Sequence, residues 1–296
     1  MAIKTVDLYV NGQSYNIPLV SAGTYRKQIT APNKSSWKET DHKYAMQLKV
    51  EDVAGNVTTI DKNHETFGEK MMLRVLENTP PVITITSPAQ SAYLGSNAVK
   101  VEANITDTES GVDPDSITIQ IDSGAVISSG ITKTPITNGY KCSYIATVQD
   151  GQHTVRVNAS DNDGNEAVEK TASFTVDTVA PELNVTYPPE TLITNKQTIT
   201  VTGKTDTDCS VQIKLNNQDQ GPISMSGTGE FSKSVTLKKG SNVIVITSTD
   251  RAGKSSTVQR EVQYDPDAPV VVSIELSPNP VGAGETFTIT VEATDD

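Results

Sequence analysis

The run Gly151-Gln152-His153-Thr154-Val155-Arg156-Val157-Asn158-Ala159-Ser160-Asp161-Asn162-Asp163-Gly164-Asn165 alternates apolar and polar residues, then stops at an Asp/Gly turn. Val155, Val157 and Ala159 fall on one side of an extended chain, the pattern of a half-buried strand entering a hairpin. Ile244, Ile246 and Ser248 repeat it ahead of Asp250-Arg251-Ala252-Gly253-Lys254. Met46, Leu48 and Val50 do so ahead of Asp52-Val53-Ala54-Gly55-Asn56. Three copies of one strand-and-turn unit make the chain a string of small β-domains.

With 296 residues the chain has room for about two or three ordinary domains. Apolar residues make up 35%, below the usual ~45–50%, which suits sandwiches whose outer faces are wet. A formal net charge of −12 repels phosphate backbones and anionic bilayers, so neither nucleic acid nor membrane is expected as a partner. No window approaches the ~20 apolar residues of a membrane span. Met1-Ala2-Ile3-Lys4-Thr5-Val6-Asp7 has no apolar core and no cleavage site, so an export signal is not expected there. Cys142 and Cys209 lie in different repeats, where they are expected as unpaired thiols rather than an inter-sheet bridge.

Proline joints at Thr79-Pro80-Pro81, Val179-Ala180-Pro181 and Asp267-Ala268-Pro269 each separate one strand from the next. Proline fixes φ and biases its neighbour toward extended geometry, so such joints should have limited swivel. The expected domains are 1–78, 79–178, 179–266 and a two-strand fragment, 267–296. Strands are predicted over 82–86, 98–105, 117–121, 140–146, 153–160 and 167–176, with a further short one between 125 and 136. About seven strands in roughly 95 residues is the count of an immunoglobulin-like sandwich. The fold class is therefore all-β: tandem immunoglobulin-like β-sandwiches, elongated, with an incomplete domain at each end. No amphipathic helix is expected.

The strings Gly151-x-His153-x-Val155-x-Val157-x-Ala159-x-Asp161-x-x-Gly164-Asn165 and Gly240-x-Asn242-x-Ile244-x-Ile246-x-Ser248-x-Asp250 resemble the closing half of bacterial Ig-like repeats. The first copy departs from the pattern, with His42 in place of the glycine. A narrower likeness lies in Ala31-Pro32-Asn33-Lys34-Ser35-Ser36-Trp37, in Tyr44 through Thr59 and in Leu73-Arg74-Val75. These are similar to Ig-like proteins from tail gene clusters of phages of Clostridia and relatives. The resemblance implies a virion protein made in the bacterial cytoplasm, with another tail or baseplate protein as a partner. Such modules are spacers and binders, so the resemblance speaks to fold more than to function.

The termini complement each other. Asn11-Gly12 is a strong hairpin turn that matches Ser123-Gly124 and Asn216-Asn217, the turns closing the third strand of the later copies. The first domain is thus expected to lack its first two strands, and residues 270–276 and 286–294 read as just such a pair. The tail Val291-Glu292-Ala293 repeats Val101-Glu102-Ala103. Fragments below about 40 residues rarely bury a core unaided, and open strand edges invite pairing. The expected interface residues are Val6, Leu8 and Val10 on the receiving side. On the donating side they are Val272, Ile274, Leu276, Phe287, Ile289 and Val291. Head-to-tail self-association by strand complementation competes with docking on a different protein, folding back on the same chain, or ends left open by where the chain is cut.

Enzymatic chemistry is not expected. His42, His64 and His153 are scattered, and no Gly-x-Ser-x-Gly, Walker or zinc pattern occurs. Asp161-x-Asp163-x-Asn165 imitates the opening of an EF-hand, then departs with Glu166 and Ala172 where Gly and Glu are required. Asp107, Glu109, Asp113 and Asp115 form a second acidic loop. Calcium at either place is weighed against solvated Asx turns, the commoner use of such residues, and no cofactor is expected. Trp37, the sole tryptophan, suits a core or interface position better than a sugar platform, which leaves host-surface carbohydrate an open partner. Three functional readings remain: a structural protein of a phage tail or tail-like particle, a stalk or adhesion module of a bacterial cell-surface protein, and, third in order, an accessory region of a polysaccharide-degrading enzyme with catalysis elsewhere.

Overall fold

The computed structural model describes residues 2–295. Among them there are strands, three short 3-10 turns (Thr40–His42, Gly68–Met71 and Pro114–Ser116) and no α-helix. The chain divides into two compact units, Met1–Val176 and Asp177–Asp296.

The first unit opens on an antiparallel sheet in the order Gln13–Asn16, Ile3–Val10, Tyr44–Asp52, Val57–Ile60, with Met72–Leu73 also paired to Tyr44–Asp52. Register sets Val6 against Val50, Leu8 against Leu48 and Val10 against Met46, so the apolar positions of both strands share one face. Its core of buried residues is Val10, Tyr44 and Val75. Leu19–Ser21 and Thr24–Tyr25 make a separate two-stranded ribbon.

Residues 82–176 of the same unit form two four-stranded sheets. One runs Thr132–Ile136, Gly139–Thr147, Ala98–Thr106, Val82–Ser87; the other runs Thr118–Ile121, Gly151–Asn158, Lys170–Val176, Ala92–Leu94. Val99, Val101, Ala103 and Ile105 turn inward from Ala98–Thr106 and pack with Ile119, Val155, Val157 and Phe174 of the facing sheet. Alternation at period two produces this core, because each second side chain leaves water while its neighbours stay solvated.

The second unit repeats the plan. Leu183–Tyr187, Thr198–Thr205, Glu230–Thr236 and Ser224–Met225 form one sheet. Thr191–Thr194, Ser255–Tyr264, Gly240–Thr249, Ser210–Leu215 and Gln218–Asp219 form the other. Val201, Ile213, Ile244, Ile246 and Val262 are buried between them. Among the described residues, Val270–Ser277 and Thr288–Thr294 pair only with each other.

Two of the strands not expected from the sequence pair in parallel. Ala92–Leu94 and Thr191–Thr194 lie parallel to the closing strands Lys170–Val176 and Ser255–Tyr264. Their sequences are too short to show a period, and their place is set by the strand they pair with.

Candidate functional site

The repeated Asp turn explains itself locally. Asp161 Oδ1 accepts the backbone N–H groups of Asp163 at 2.9 Å and Asn165 at 2.8 Å, and Oδ2 accepts the Asn165 side-chain amide at 2.7 Å. Asp52 does the same with Ala54, Asn56 and the Asn56 amide, each at 2.9 Å. The motif is thus an Asx turn that closes a hairpin.

In the middle copy this turn becomes part of a joint between residues 1–78 and the sandwich that follows. Asp163 Oδ2 accepts the Ser35 hydroxyl at 2.5 Å and the Glu77 N–H at 3.2 Å, and the Asn165 amide donates to the Glu77 carbonyl at 3.2 Å. Glu77, which precedes the Pro80-Pro81 joint, turns its side chain inward, where Oε1 accepts the Ser110 N–H at 2.6 Å. The loop carrying Ser110 is ordered by Asp107, whose Oδ1 accepts from Glu109 at 3.0 Å and Gly111 at 2.7 Å.

Three carboxylates meet here. Glu77, Asp107 and Asp161 are 7%, 6% and 2% exposed, and one oxygen of each lies within 4.8 Å of the other two. Glu77 Oε2 is buried and has no hydrogen-bond partner. Burial pushes the Glu77 carboxyl up from its ordinary pKa, and the charges of Asp107 and Glu109 add to this against hydrogen bonds from Ser110. Two cationic side chains of the joint engage other atoms: Lys38 donates to the Thr108 carbonyl at 2.6 Å, and Arg74 lies 4.0 Å from Asp163.

Of the six acidic residues singled out from sequence, only Asp107 and Asp161 enter this cluster. Asp163 serves the joint as described. Asp113 caps the turn Pro114–Ser116 by accepting from Asp115 N–H. Asp115 is exposed and 3.5 Å from Lys133, and Glu109 is half-buried outside the cluster. Glu77 was missed, although an acidic residue stands four places before the joint proline in each repeat, as Glu77, Asp177 and Asp265.

The expected interface residues divide sharply. Val272, Ile274, Leu276, Phe287, Ile289 and Val291 are all exposed, Ile274 by 61% and Val291 by 51%. The receiving positions differ from expectation: Val6 and Val10 are buried within their own unit and Leu8 is half-buried. Val10 packs against Tyr44 and Val75, so irregular chain near Val75 covers part of the face expected to lie open.

The histidines serve local structure. His42 stacks on Trp37 with ring centroids 4.0 Å apart, His64 accepts from the N–H groups of Thr66 and Phe67, and His153 bridges Asp122 and the Gln149 carbonyl. Trp37 is half-buried against that imidazole. Both cysteines are free thiols, Cys142 inside the core and Cys209 half-buried. Among the described residues no helix is long and apolar enough to cross a membrane.

Residues 81–157 match a family described as Bacterial Ig domain, and residues 181–265 match one described as Glucodextranase, domain B. Bacillopeptidase F of Bacillus subtilis (strain 168) is 26% identical over 230 residues, which is 77% of this chain and 15% of the length of that relative. Fibronectin(III)-like modules of CbhA from Clostridium thermocellum share 12% identity at a TM-score of 0.40, over 62% of this chain and 94% of theirs. An I-band fragment of titin shares 13% identity at a TM-score of 0.38, over 89% of this chain and 88% of its own. The chain is all-β throughout its described residues, with β-sandwich domains in tandem, and the likeness to a bacterial Ig domain lies in residues 81–157.

Proposed function

We propose that the chain is a non-enzymatic structural and interaction protein, an Ig-like strut that engages its neighbour through the hairpin Val270–Ser277 and Thr288–Thr294. One observation carries this. Val291-Glu292-Ala293 repeats Val101-Glu102-Ala103, yet Val101 and Ala103 are fully buried beneath a facing sheet while Val291 is 51% exposed. The same residues in the same kind of strand want the same cover, since each buried valine stabilises by roughly 1.5–3 kcal/mol. The cover is a set of β-strands that completes an Ig-like sandwich, contributed in this reading by a second copy of the chain. Because Val6 and Val10 are already covered, the receiving surface on that copy is a sheet edge rather than the full inner face.

The setting that fits best is a phage tail or tail-like particle, at the baseplate or fibre, on the strength of the resemblance of residues 31–59 and 73–75 to Ig-like tail proteins. A stalk on a bacterial cell surface is the second reading, favoured by the match of residues 81–157 to a bacterial Ig domain. The non-enzymatic part rests on the sequence, which lacks any nucleophile, phosphate-binding or zinc motif.

Analytical ultracentrifugation tests the interaction. The chain should form ordered oligomers, and Ile274→Lys with Ile289→Lys should reduce it to monomers without lowering its melting temperature. A wild type that stays monomeric at every concentration sinks self-association. Mass spectrometry of purified particles and of cell-wall fractions separates the two settings.

A further inference from the structure

We propose that Glu77, Asp107 and Asp161, at the joint between the first two domains, form a binding site for a divalent cation, and that their oxygen chemistry selects calcium. The three side chains come from the joint itself, from the loop after Ala98–Thr106 and from the turn after Gly151–Asn158. Each is more than nine-tenths buried. Backbone N–H donors already orient Asp107 Oδ1, Asp161 Oδ1 and Glu77 Oε1. Glu77 Oε2, in contrast, is shut away from water with nothing to accept from. A buried carboxylate oxygen in that state costs free energy unless a cation or a proton neutralises it.

Size and donor type choose the cation. Oxygens sharing one calcium ion at about 2.3–2.6 Å can be at most about 5 Å apart, and the three here lie within 4.8 Å of one another. Magnesium demands near-ideal octahedral geometry at about 2.0–2.1 Å and keeps several waters, which a buried all-carboxylate corner does not favour. No thiolate or imidazole belongs to the cluster, so softer metals have no anchor.

The next repeat holds carboxylates at the same sequence positions. Asp177 stands four residues before Pro181 as Glu77 stands four before Pro81; Asp206 follows Thr205 as Asp107 follows Thr106; Asp250 opens the turn as Asp161 does. Asp250 Oδ2 is also buried without a partner. The recurrence is one of sequence, since Asp206 is exposed and accepts the Glu182 N–H. The buried cluster among the described residues is that of Glu77, Asp107 and Asp161, a site that stands independently of how the chain associates.

The test is calorimetric titration of calcium into the full chain after chelator treatment, with melting temperatures measured in parallel. Saturable binding and a higher melting temperature in calcium are expected, with a smaller rise in equimolar magnesium. Glu77→Gln keeps an acceptor for Ser110 but removes the charge. It should bind one ion fewer, or weaken that class of site by at least about tenfold, since even outer-shell changes cost 10–100-fold. In chelator the same variant should melt higher than wild type, because it relieves repulsion among three buried carboxylates; a merely structural role would not invert sign with calcium. A wild type that binds no calcium, or a Glu77→Gln protein with unchanged stoichiometry and affinity, overturns the proposal in favour of a proton held among the carboxylates.

Discussion

Ser35 donates its hydroxyl to Asp163 Oδ2 at 2.5 Å, linking two domains across a separation of 128 residues. The same carboxylate oxygen takes the backbone N–H of Glu77 at 3.2 Å, so one side chain holds both the body of the first domain and the segment that leaves it. The Asp163 side chain is 1% exposed. A hydrogen bond to a buried charge is worth about 1.5–3 kcal/mol, more than one between neutral groups.

Ser35→Ala should therefore destabilise the first domain by about 1–2 kcal/mol while leaving the melting of residues 177–265 unchanged. Differential scanning calorimetry separates the transitions. Limited proteolysis should report faster cleavage near Glu77 in the variant, since the chain there loses part of its anchorage.

His153 makes the stability of the second domain depend on pH. Burial disfavours its charged form, but the Asp122 carboxylate at 2.8 Å and the Gln149 carbonyl at 2.8 Å outweigh this, so its pKa is raised above 6.5. A folded pKa above the unfolded one adds stability that is complete below about pH 6.5 and is lost as pH rises through the folded value. Asp122, although burial opposes it, is lowered below 3.8 by the His153 hydrogen bond and the Thr154 N–H, so its contribution is lost in acid. The melting temperature of this domain should fall by this contribution as pH rises above about 6.5, and His153→Asn should flatten that slope. A wild-type slope unchanged by the substitution would refute the assignment.

The fold was legible wherever a residue's role depended on its neighbours in sequence. Asp161 orders its own turn, and Val99, Val101, Ala103 and Ile105 alternate inward because a strand has period two. What could not be read came from distant chain. Glu77, Asp107 and Asp161 meet only after three segments fold together, and no local pattern marks Glu77 as buried. Val6 and Val10 read as an open face because irregular chain near Val75, which carries no periodic signal, is what packs on Val10. Ala92–Leu94 has no alternation of its own and exists by pairing with Lys170–Val176.

Two neighbouring glycines should respond oppositely to alanine. Gly229 has φ +82, and a Cβ there would sit 1.9 Å from the Thr205 carbonyl oxygen, whereas nothing lies within 4 Å of a Cβ at Gly227. Gly229→Ala meets both left-handed strain and a backbone clash, so it should cost about 1–3 kcal/mol. Gly227→Ala should be neutral or stabilise by about 0.4–1 kcal/mol through the unfolded chain. Denaturant midpoints of the second unit decide it.

Val101 and Val291 open identical Val-Glu-Ala triplets in opposite surroundings, 0% and 51% exposed. A lysine at position 101 would place an unpaired ammonium between two sheets, where desolvation costs several kcal/mol. Val101→Lys should therefore unfold residues 82–176 or lower their melting temperature steeply. Val291→Lys places the same charge on an exposed strand and should change the stability of the isolated chain by no more than about 0.5 kcal/mol. If the hairpin is covered by another copy's strands, the second substitution becomes as damaging to assembly as the first is to folding. Comparing melting curves with sedimentation profiles for the two variants separates these effects. A Val291→Lys chain that associates as well as wild type would show that the apolar face of the hairpin is not what holds copies together.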